Sequence, residues 1–482
     1  MRQSVRLRRL LTTLLAVAAT IPLGAQGARP GDAYVGVWRA TFGMEPYAMR
    51  VALEVRRDSV GELAGRLHAV DAPGNVTPMR VTLVGDSIVA RAIDDSVAFA
   101  LRGILERDTL RIVWRSGGRS ATVELPGEMT RGRLEVAQRP QRPRAPLPYP
   151  TRDVVIAATD SASGASTRLE ATLALPAGRG PHPVLVLDPT LVSPNWANTG
   201  HPILEVLADG LARAGVATLR PASPPDTGAA RGPRRPPTVA AALARWLASD
   251  EAPREIARDR IGLLGHGRPG TRVVAIQRKR PAVSFLVLLG VPAARGDAAM
   301  IATIDALLSQ LPVEMPAAAR RAFELPKTAV RLIAGARDTA DARRVVDSLA
   351  LAATDSIPGL RGEQAERFRA SLRGYATPAT FAMLRDDPAA ELRGARGDVL
   401  ALAGTQDGEV PPELHMPLLK GALAAGEVTT IEAAVLPGLN HLLQESQGGG
   451  VFEYGRIEQT VSPLALQTIA DWIKRLPRAR GR

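Results

Sequence analysis

The stretch Ile261-Gly262-Leu263-Leu264-Gly265-His266-Gly267-Arg268-Pro269-Gly270 decides the fold. Residues 261–264 are all glycine or apolar, as in a buried strand, and a glycine- and proline-rich turn follows directly. A helical pattern comes next, so the segment predicts a strand, a sharp turn and a helix. Turns of this kind hold a catalytic side chain at their tip in some folds. Here the tip is Gly267, which has no side chain.

Two polar residues downstream each follow a predicted strand. Residues 399–403 form an apolar run that leads to Asp407, and residues 430–436 lead to His441, which lies 34 positions after Asp407. The chain order of turn tip, Asp and His is the order that the α/β-hydrolase fold uses. We therefore expect the Gly267 position, Asp407 and His441 to converge. The alternative is that Asp407 and His441 now share only a structural hydrogen bond.

The surrounding pattern alternates short apolar strands with amphipathic helices, which predicts an α/β fold with a mostly parallel sheet flanked by helices. We assign residues 151–482 to this α/β-hydrolase domain. Residues 295–396 are mostly helical and alanine-rich and predict a helical cap insertion. Asp338 lies in that insertion, where a helix-capping role is favoured over a catalytic one. The predicted strands are 184–187, 216–219, 261–264, 285–289, 399–403 and 430–436, and the main helices are 202–214, 239–247 and 463–476.

The N-terminal part of the chain has a different hydrophobic pattern. Short alternating runs separated by turn residues predict a small antiparallel β domain over residues 31–136, either a sandwich or a barrel. It shows no cluster of titratable residues and is interpreted as an accessory domain. Residues 137–150 are rich in proline and arginine, with five prolines between 138 and 150, and predict a stiff, extended linker.

The first residues predict export. Four arginines among the first nine residues precede an apolar run over 10–23 and then Gly24 and Ala25. This pattern is typical of a secretory signal peptide, here 1–25, and predicts a secreted or periplasmic protein without stable membrane insertion after cleavage. An uncleaved N-terminal anchor is the alternative. The chain has no cysteine, which excludes a lipoprotein anchor, disulfides, a thiol nucleophile and cysteine metal sites.

Charge and motifs exclude several functions. The formal net charge of +13 comes from arginines that are scattered singly or in pairs, without a recognition motif, so we expect no nucleic-acid partner. We expect no cofactor and no metal, because the chain lacks His-Glu-x-x-His and phosphate-loop motifs and its six histidines are dispersed. The pattern leaves the oligomeric state open.

From Pro146 to the end, the chain resembles secreted bacterial carboxylesterases of the EstD type, which are related to serine aminopeptidase-like hydrolases. The similarity rests on residues 146–149, 200–202, 261–266 and, most specifically, 439–460. The N-terminal domain, with Gly36, Val37 and Trp38, is also similar to the domain that such proteins carry. The resemblance implies an α/β-hydrolase fold and a serine hydrolase acting on ester, amide or peptide bonds.

The departures from that family are concentrated in the site. Gly267 stands where the family has its nucleophilic serine, and 221–225 has lost the family's Asp-x-Arg-Gly segment. The resemblance places the oxyanion donors at the Arg268 and Thr190 amides, yet the Thr190 loop reads Asp188-Pro189-Thr190 where the family has a glycine-rich loop. Proline has no N–H to donate, and a carboxylate opposes a developing oxyanion.

Three hypotheses follow from these residues. The first is a catalytically impaired pseudo-hydrolase that keeps a pocket for a small ester-, amide- or peptide-like ligand. The second is an active hydrolase that uses His441 and Asp407 with water or an unrecognised nucleophile. Ser284 and Thr271 are interpreted as packing residues, not as that nucleophile. The third is a non-enzymatic envelope interaction protein whose functional part is the β domain.

Overall fold

A computed structural model describes residues 29–477 except 43–47, 95–98, 118–121, 160–165, 223–237, 310–316, 357–360 and 452. The predicted signal peptide, 1–25, lies outside these described residues. Within them, no helix combines the length and the apolar character that a membrane crossing needs.

The N-terminal domain is a closed barrel in which each strand pairs antiparallel with the next and β1 closes onto β8. Alternate residues point inward, so Trp38, Leu110 and Met129 are completely buried in the barrel core while their neighbours are more exposed. The sequence left both a sandwich and a barrel possible, and the structure shows the barrel. The strands are β1(Gly36–Phe42), β2(Met49–Arg57), β3(Leu63–Ala69), β4(Val76–Val84), β5(Ser87–Ala92), β6(Phe99–Glu106), β7(Thr109–Gly117) and β8(Thr122–Arg131).

The second unit contains an eight-stranded sheet in the order β16-β15-β14-β13-β11-β12-β10-β9. The sheet is mixed: the strands from β16 to β12 are parallel, whereas β10 runs antiparallel to β12 and β9 antiparallel to β10. The apolar runs in the sequence predicted the parallel strands, but not the two antiparallel strands β9 and β10 at the end of the sheet. These strands are β9(Thr151–Thr159), β10(Ser166–Ala174), β11(His182–Val186), β12(Ala217–Pro221), β13(Ile256–His266), β14(Val283–Leu289), β15(Arg396–Gly404) and β16(Glu427–Leu436).

Helices cover both faces of this sheet. One apolar core lies under α3, α4 and α11, and the other under α2 and α12. Helices α5 to α9 contribute to a separate small core of their own. The helices are α1(Pro194–Asn198), α2(Ile203–Arg213), α3(Thr238–Leu247), α4(Arg272–Lys279), α5(Gly296–Ser309), α6(Ala317–Gly335), α7(Thr339–Ser356), α8(Gly362–Arg373), α9(Pro378–Arg385), α10(Pro388–Leu392), α11(Pro412–Ala424) and α12(Pro463–Arg475).

The segment between the two units is anchored on both sides. Arg139 Nη2 donates to the carbonyls of Asp71 at 3.1 Å, Thr199 at 2.9 Å and Gly455 at 2.9 Å. Asp71 belongs to the β3–β4 turn of the barrel, whereas the other two belong to loops of the sheet unit. Burial lowers the pKa of Arg139 to about 10, against the opposing charges of Glu458 and Asp71. One guanidinium thus joins three separate chain segments.

Candidate functional site

The elbow at the end of β13 is formed by backbone that only glycine adopts easily. Gly267 has φ 59° and ψ −154°, and a short 3₁₀ turn, Arg268–Thr271, leads from it into α4. The turn is tight, since a Cβ on Gly265 would lie 2.5 Å from the Gly270 carbonyl oxygen. Such a conformation costs a residue with a side chain about 1 to 3 kcal/mol. Gly267 therefore keeps the shape of a nucleophile elbow and avoids most of its strain.

Asp407 and His441 form a buried pair beside this elbow. His441 Nδ1 lies 2.9 Å from Asp407 Oδ2. The other carboxylate oxygen of Asp407 accepts hydrogen bonds from the amides of Glu409, at 3.0 Å, and Val410, at 2.7 Å. These amides fix the carboxylate, so Nδ1 of His441 carries the shared proton and Nε2 is left for the elbow side.

The ring of His441 lies directly against the elbow. A Cβ built on Gly267 would lie 3.1 Å from His441 Nε2. The structure thus brings Gly267, Asp407 and His441 together in one place. It also supplies every part of a serine triad except the hydroxyl.

The groups around His441 raise the pKa of its imidazole and so favour its charged form. Burial alone would lower its pKa, but the charge of Asp407, their hydrogen bond and the charge of Glu409 outweigh it and raise the pKa of His441 to about 9. At neutral pH the ring is therefore an imidazolium paired with Asp407. A histidine in that state has no lone pair with which to accept a proton, so it works as a general base only at higher pH.

His266, the last residue of β13, connects this pair to a second loop. Its Nδ1 accepts a hydrogen bond from the Ser193 amide at 3.3 Å, and its Nε2 donates to the His441 carbonyl at 2.9 Å. Trp196 stacks on the ring with centroids 4.0 Å apart. Burial, with the charge of His441, holds the pKa of His266 well below its usual value. The sequence places His266 only within the family-like segment 261–266 and does not predict this bridging position.

The two expected oxyanion donors differ in the structure. The Thr190 N–H donates to Asp188 Oδ1 at 2.8 Å, because the Asp188 carboxylate caps the short turn Pro189–Leu191. This amide is thus already satisfied within its own turn. The Arg268 N–H, by contrast, makes no hydrogen bond with any described residue, and the Arg268 side chain pairs with Asp386. Only one of the two expected donors is available for a ligand.

Ser193 is a residue near the elbow that sequence reasoning missed. It precedes α1, is 6% exposed, and its Cβ would lie 3.2 Å from a Cβ on Gly267. Ser193 also lines a cavity of about 300 Å³ at the carboxyl ends of β11 and β12. No sequence signal marks it, because its position depends on the path of the loop after β11. The described lining is Pro189, Val192, Ser193, Pro194, Trp196, His201, Pro202, Ile203, Leu204, Glu205, Arg220, Pro221 and Ala222.

The other hydroxyl and acid candidates have structural partners. Asp338 caps α7 by accepting a hydrogen bond from the Asp341 amide at 2.8 Å. The Thr271 hydroxyl donates to the Arg268 carbonyl, and the Ser284 hydroxyl donates to the Ile261 carbonyl. Among the residues that the structure describes, no group of three or more His, Cys, Asp and Glu side chains could hold a metal ion.

Two further histidines are buried around the pair. His415 Nδ1 accepts hydrogen bonds from the amides of Ala293, at 3.0 Å, and Ala294, at 3.2 Å. His201 Nε2 donates to the Tyr454 carbonyl at 2.8 Å. Burial is the main cause that lowers the pKa of each to about 4. Both rings are therefore neutral at physiological pH.

Comparison with known proteins finds similar solved structures, but no matching family model or curated protein. Among solved structures, the chain is similar to an esterase domain from Rhodothermus marinus, with 15% identity, a TM-score of 0.34, and coverage of 68% of this chain and 98% of that one. It is also similar to a proline iminopeptidase from Mycobacterium smegmatis, with 14% identity, a TM-score of 0.36, and coverage of 67% and 98%.

An esterase from Pyrobaculum calidifontis is a third neighbour, with 14% identity, a TM-score of 0.35, and coverage of 69% of this chain and 88% of that one. Identities and TM-scores this low carry no conclusion about activity or substrate. The description of the chain as α/β-hydrolase-like rests on its own features instead. These are the glycine elbow after β13, and an Asp and a His that follow β15 and β16 and meet at that elbow.

Proposed function

We propose that this chain is an exported pseudo-hydrolase related to carboxylesterases. It forms no acyl-enzyme at its elbow, and it binds a small ester-, amide- or peptide-like ligand in the cavity that Ser193 lines. The observation that carries the proposal is the bare Gly267 in elbow conformation, with His441 Nε2 3.1 Å from the position of the missing Cβ. The resemblance to secreted carboxylesterases of the EstD type supports the ligand class.

The loss of the elbow nucleophile has a large kinetic consequence. Without it, a triad site retains at most about 10³- to 10⁴-fold acceleration over the uncatalysed reaction, from binding and the oxyanion hole. The Thr190 amide is occupied by Asp188, and losing one oxyanion donor costs about a further 10²- to 10³-fold. Hydrolysis by the elbow route is therefore effectively lost.

The cavity beside Ser193 is the proposed ligand site. Its described lining is mainly apolar, with Val192, Trp196 and Ile203 buried, and its volume of about 300 Å³ suits a small ligand. The cavity opens at the carboxyl ends of parallel strands, where α/β folds generally bind ligands.

Binding can be tested without turnover. We expect isothermal titration calorimetry to detect binding of N-phenylbutanamide, a stable amide, to the purified protein. Leu204→Trp, which places a large ring in the cavity lining, should weaken this binding by at least about tenfold, since it removes the space that the ligand fills. Leu464→Trp is the matched control, because Leu464 is exposed on α12 and does not line the cavity. No binding to the wild type, or equal binding to Leu204→Trp, would contradict the proposed site.

Export is the second part of the proposal. It rests on the arginine-rich start and the apolar run of residues 1–25. Mass spectrometry of the protein from the cell envelope should show a new N-terminus close to residue 26. A full-length chain in the cytoplasm would contradict it.

A further inference from the structure

We propose that Ser193 serves as the nucleophile of this site, from the loop after β11 instead of from the elbow. This inference rests on the proposed function, because an ester must first bind in the cavity beside Ser193. It assigns a slow carboxylic-ester hydrolysis to a protein whose elbow cannot perform it.

The first argument is position. A Cβ on Gly267 would be 3.1 Å from His441 Nε2 and 3.2 Å from Ser193 Cβ. Ser193 and the base nitrogen therefore border the same small space, which is the space that the elbow side chain occupies in a serine hydrolase. With Gly267 bare, Ser193 is the hydroxyl-bearing residue whose side-chain carbon adjoins this space.

The second argument is rigidity. The Ser193 amide donates to His266 Nδ1, and His266 Nε2 donates to the His441 carbonyl. One buried, neutral ring thus fixes the main chain of the proposed nucleophile relative to that of the base. His266 acts here as a positioning residue, since both of its ring nitrogens are hydrogen-bonded to main-chain groups. Catalytic groups need this kind of support to stay in reactive geometry.

The third argument is access to the ligand. Among the described residues that line the cavity, Ser193 is the only one with a hydroxyl group. Neither Gly267 nor His441 belongs to that lining. An ester bound in this cavity is therefore in contact with Ser193 and not with Gly267 at the elbow.

The chemistry is an ordinary acyl transfer. The Ser193 oxygen attacks the ester carbonyl carbon while its proton moves to His441 Nε2, and that proton then goes to the departing alkoxide. The product is an alcohol and an acyl group on Ser193. A water molecule, deprotonated by His441, attacks this acyl group, and collapse releases the carboxylic acid and returns the proton to Ser193.

The test combines labelling, turnover and binding. The purified protein is treated with a fluorophosphonate, and peptide mass spectrometry locates the label, while p-nitrophenyl butyrate turnover is measured at pH 9. We expect the label on Ser193. Ser193→Ala should lose the label and reduce turnover at least about 100-fold while still binding N-phenylbutanamide. Ser284→Ala is the matched control and should change neither.

The chain's lack of cysteine gives a second measurement that does not depend on turnover. Ser193→Cys introduces a single thiol next to the His441 imidazolium, which should favour the thiolate and speed its reaction with iodoacetamide at pH 7. Ser284→Cys is the control thiol, and His441→Gln should remove the difference between them.

The outcomes separate the two proposals. Binding of the amide without any label on Ser193, or with the label on another residue, overturns the nucleophile and leaves the ligand site standing. The same holds if the two cysteine variants react equally fast. If the wild type does not bind the amide, is not labelled and does not turn over ester, both proposals fail.

Discussion

His441 and Asp407 form a closed pair under an elbow that has no side chain: Nδ1 lies 2.9 Å from Asp407 Oδ2, and both side chains are almost completely buried. A buried pair of this kind binds its own proton tightly. Its persistence beside Gly267 does not require elbow catalysis, because removing either partner leaves an uncompensated group in the interior.

The pair itself gives the first prediction. Asp407→Asn keeps an oxygen for the Glu409 and Val410 amides but removes the charge that stabilises the imidazolium. Burial then outweighs the remaining charge of Glu409, so the pKa of His441 should fall from about 9 to below 6.5, as measured by NMR. His441→Ala should lower the free energy of unfolding by about 3 to 5 kcal/mol, measured in urea. A pKa that stays near 9 in Asp407→Asn would show that Asp407 is not its cause.

The second prediction concerns stability and pH. His441 binds its proton in the folded state up to about pH 9, whereas an unfolded histidine releases it near 6.5, so this stabilisation is complete below 6.5 and is lost as the pH rises through 9. His201 and His415 have lowered pKa values of about 4, and His266 is also lowered. The stability that these three neutral histidines contribute is lost as the pH falls below 6.5, because the unfolded chain then binds more protons than the folded one.

The stability in urea should therefore be greatest near pH 6 to 7 and fall on both sides, with a steeper fall on the acid side. For each proton by which the unfolded and folded states differ, the free energy of unfolding changes by about 1.4 kcal/mol per pH unit. His415→Asn, which still accepts from the Ala293 and Ala294 amides, should make the acid slope shallower by about one proton. A profile that is flat between pH 5 and 9 would contradict the assigned shifts.

Part of this site follows from sequence because Gly267, Asp407 and His441 each lie in the loop that directly follows a strand. The strands before these loops, such as β13 and β15, are short and apolar in sequence. Because they are parallel, their carboxyl ends meet at one edge of the sheet. The pairing of His441 with Asp407 depends only on that topology and on the chain order.

Other features depend on loop conformation and could not be predicted in this way. Ser193 reaches the elbow because the chain turns sharply after β11, and the Thr190 amide is occupied because Asp188 caps that turn. Strands β9 and β10 are the antiparallel strands at one end of the sheet, with β9 at the edge. Buried residues alternate there with more exposed ones, so no continuous apolar run marks them. The anchoring of 137–150 by Arg139 likewise arises from tertiary contacts, not from proline content.

The third prediction tests the elbow. Gly267→Ala should destabilise the protein by about 1 to 3 kcal/mol, because φ is positive and the new Cβ crowds His441 and Ser193. Gly267→Ser should acquire a fluorophosphonate label at residue 267 that depends on His441. The double variant Gly267→Ser, Ser193→Gly relieves the crowding from the Ser193 Cβ and should label faster. Equal labelling of the single and double variants would show that Ser193 does not restrict the elbow.

The last prediction concerns the junction of barrel and sheet units. Arg139 donates to carbonyls of the barrel turn at Asp71 and of the loops at Thr199 and Gly455. Arg139→Met keeps an apolar stem but leaves these acceptors without their donor, which should cost about 3 kcal/mol, since hydrogen bonds to charged groups contribute more than neutral ones. Arg142→Met is the control, because its ion pair with Glu205 is long and largely exposed. We expect calorimetry to show the barrel and the sheet unit separating into two transitions in Arg139→Met alone. A single transition with an unchanged midpoint would mean that the barrel is held by its other contacts, such as the 2.7 Å hydrogen bond from Asn75 to the Asn198 carbonyl.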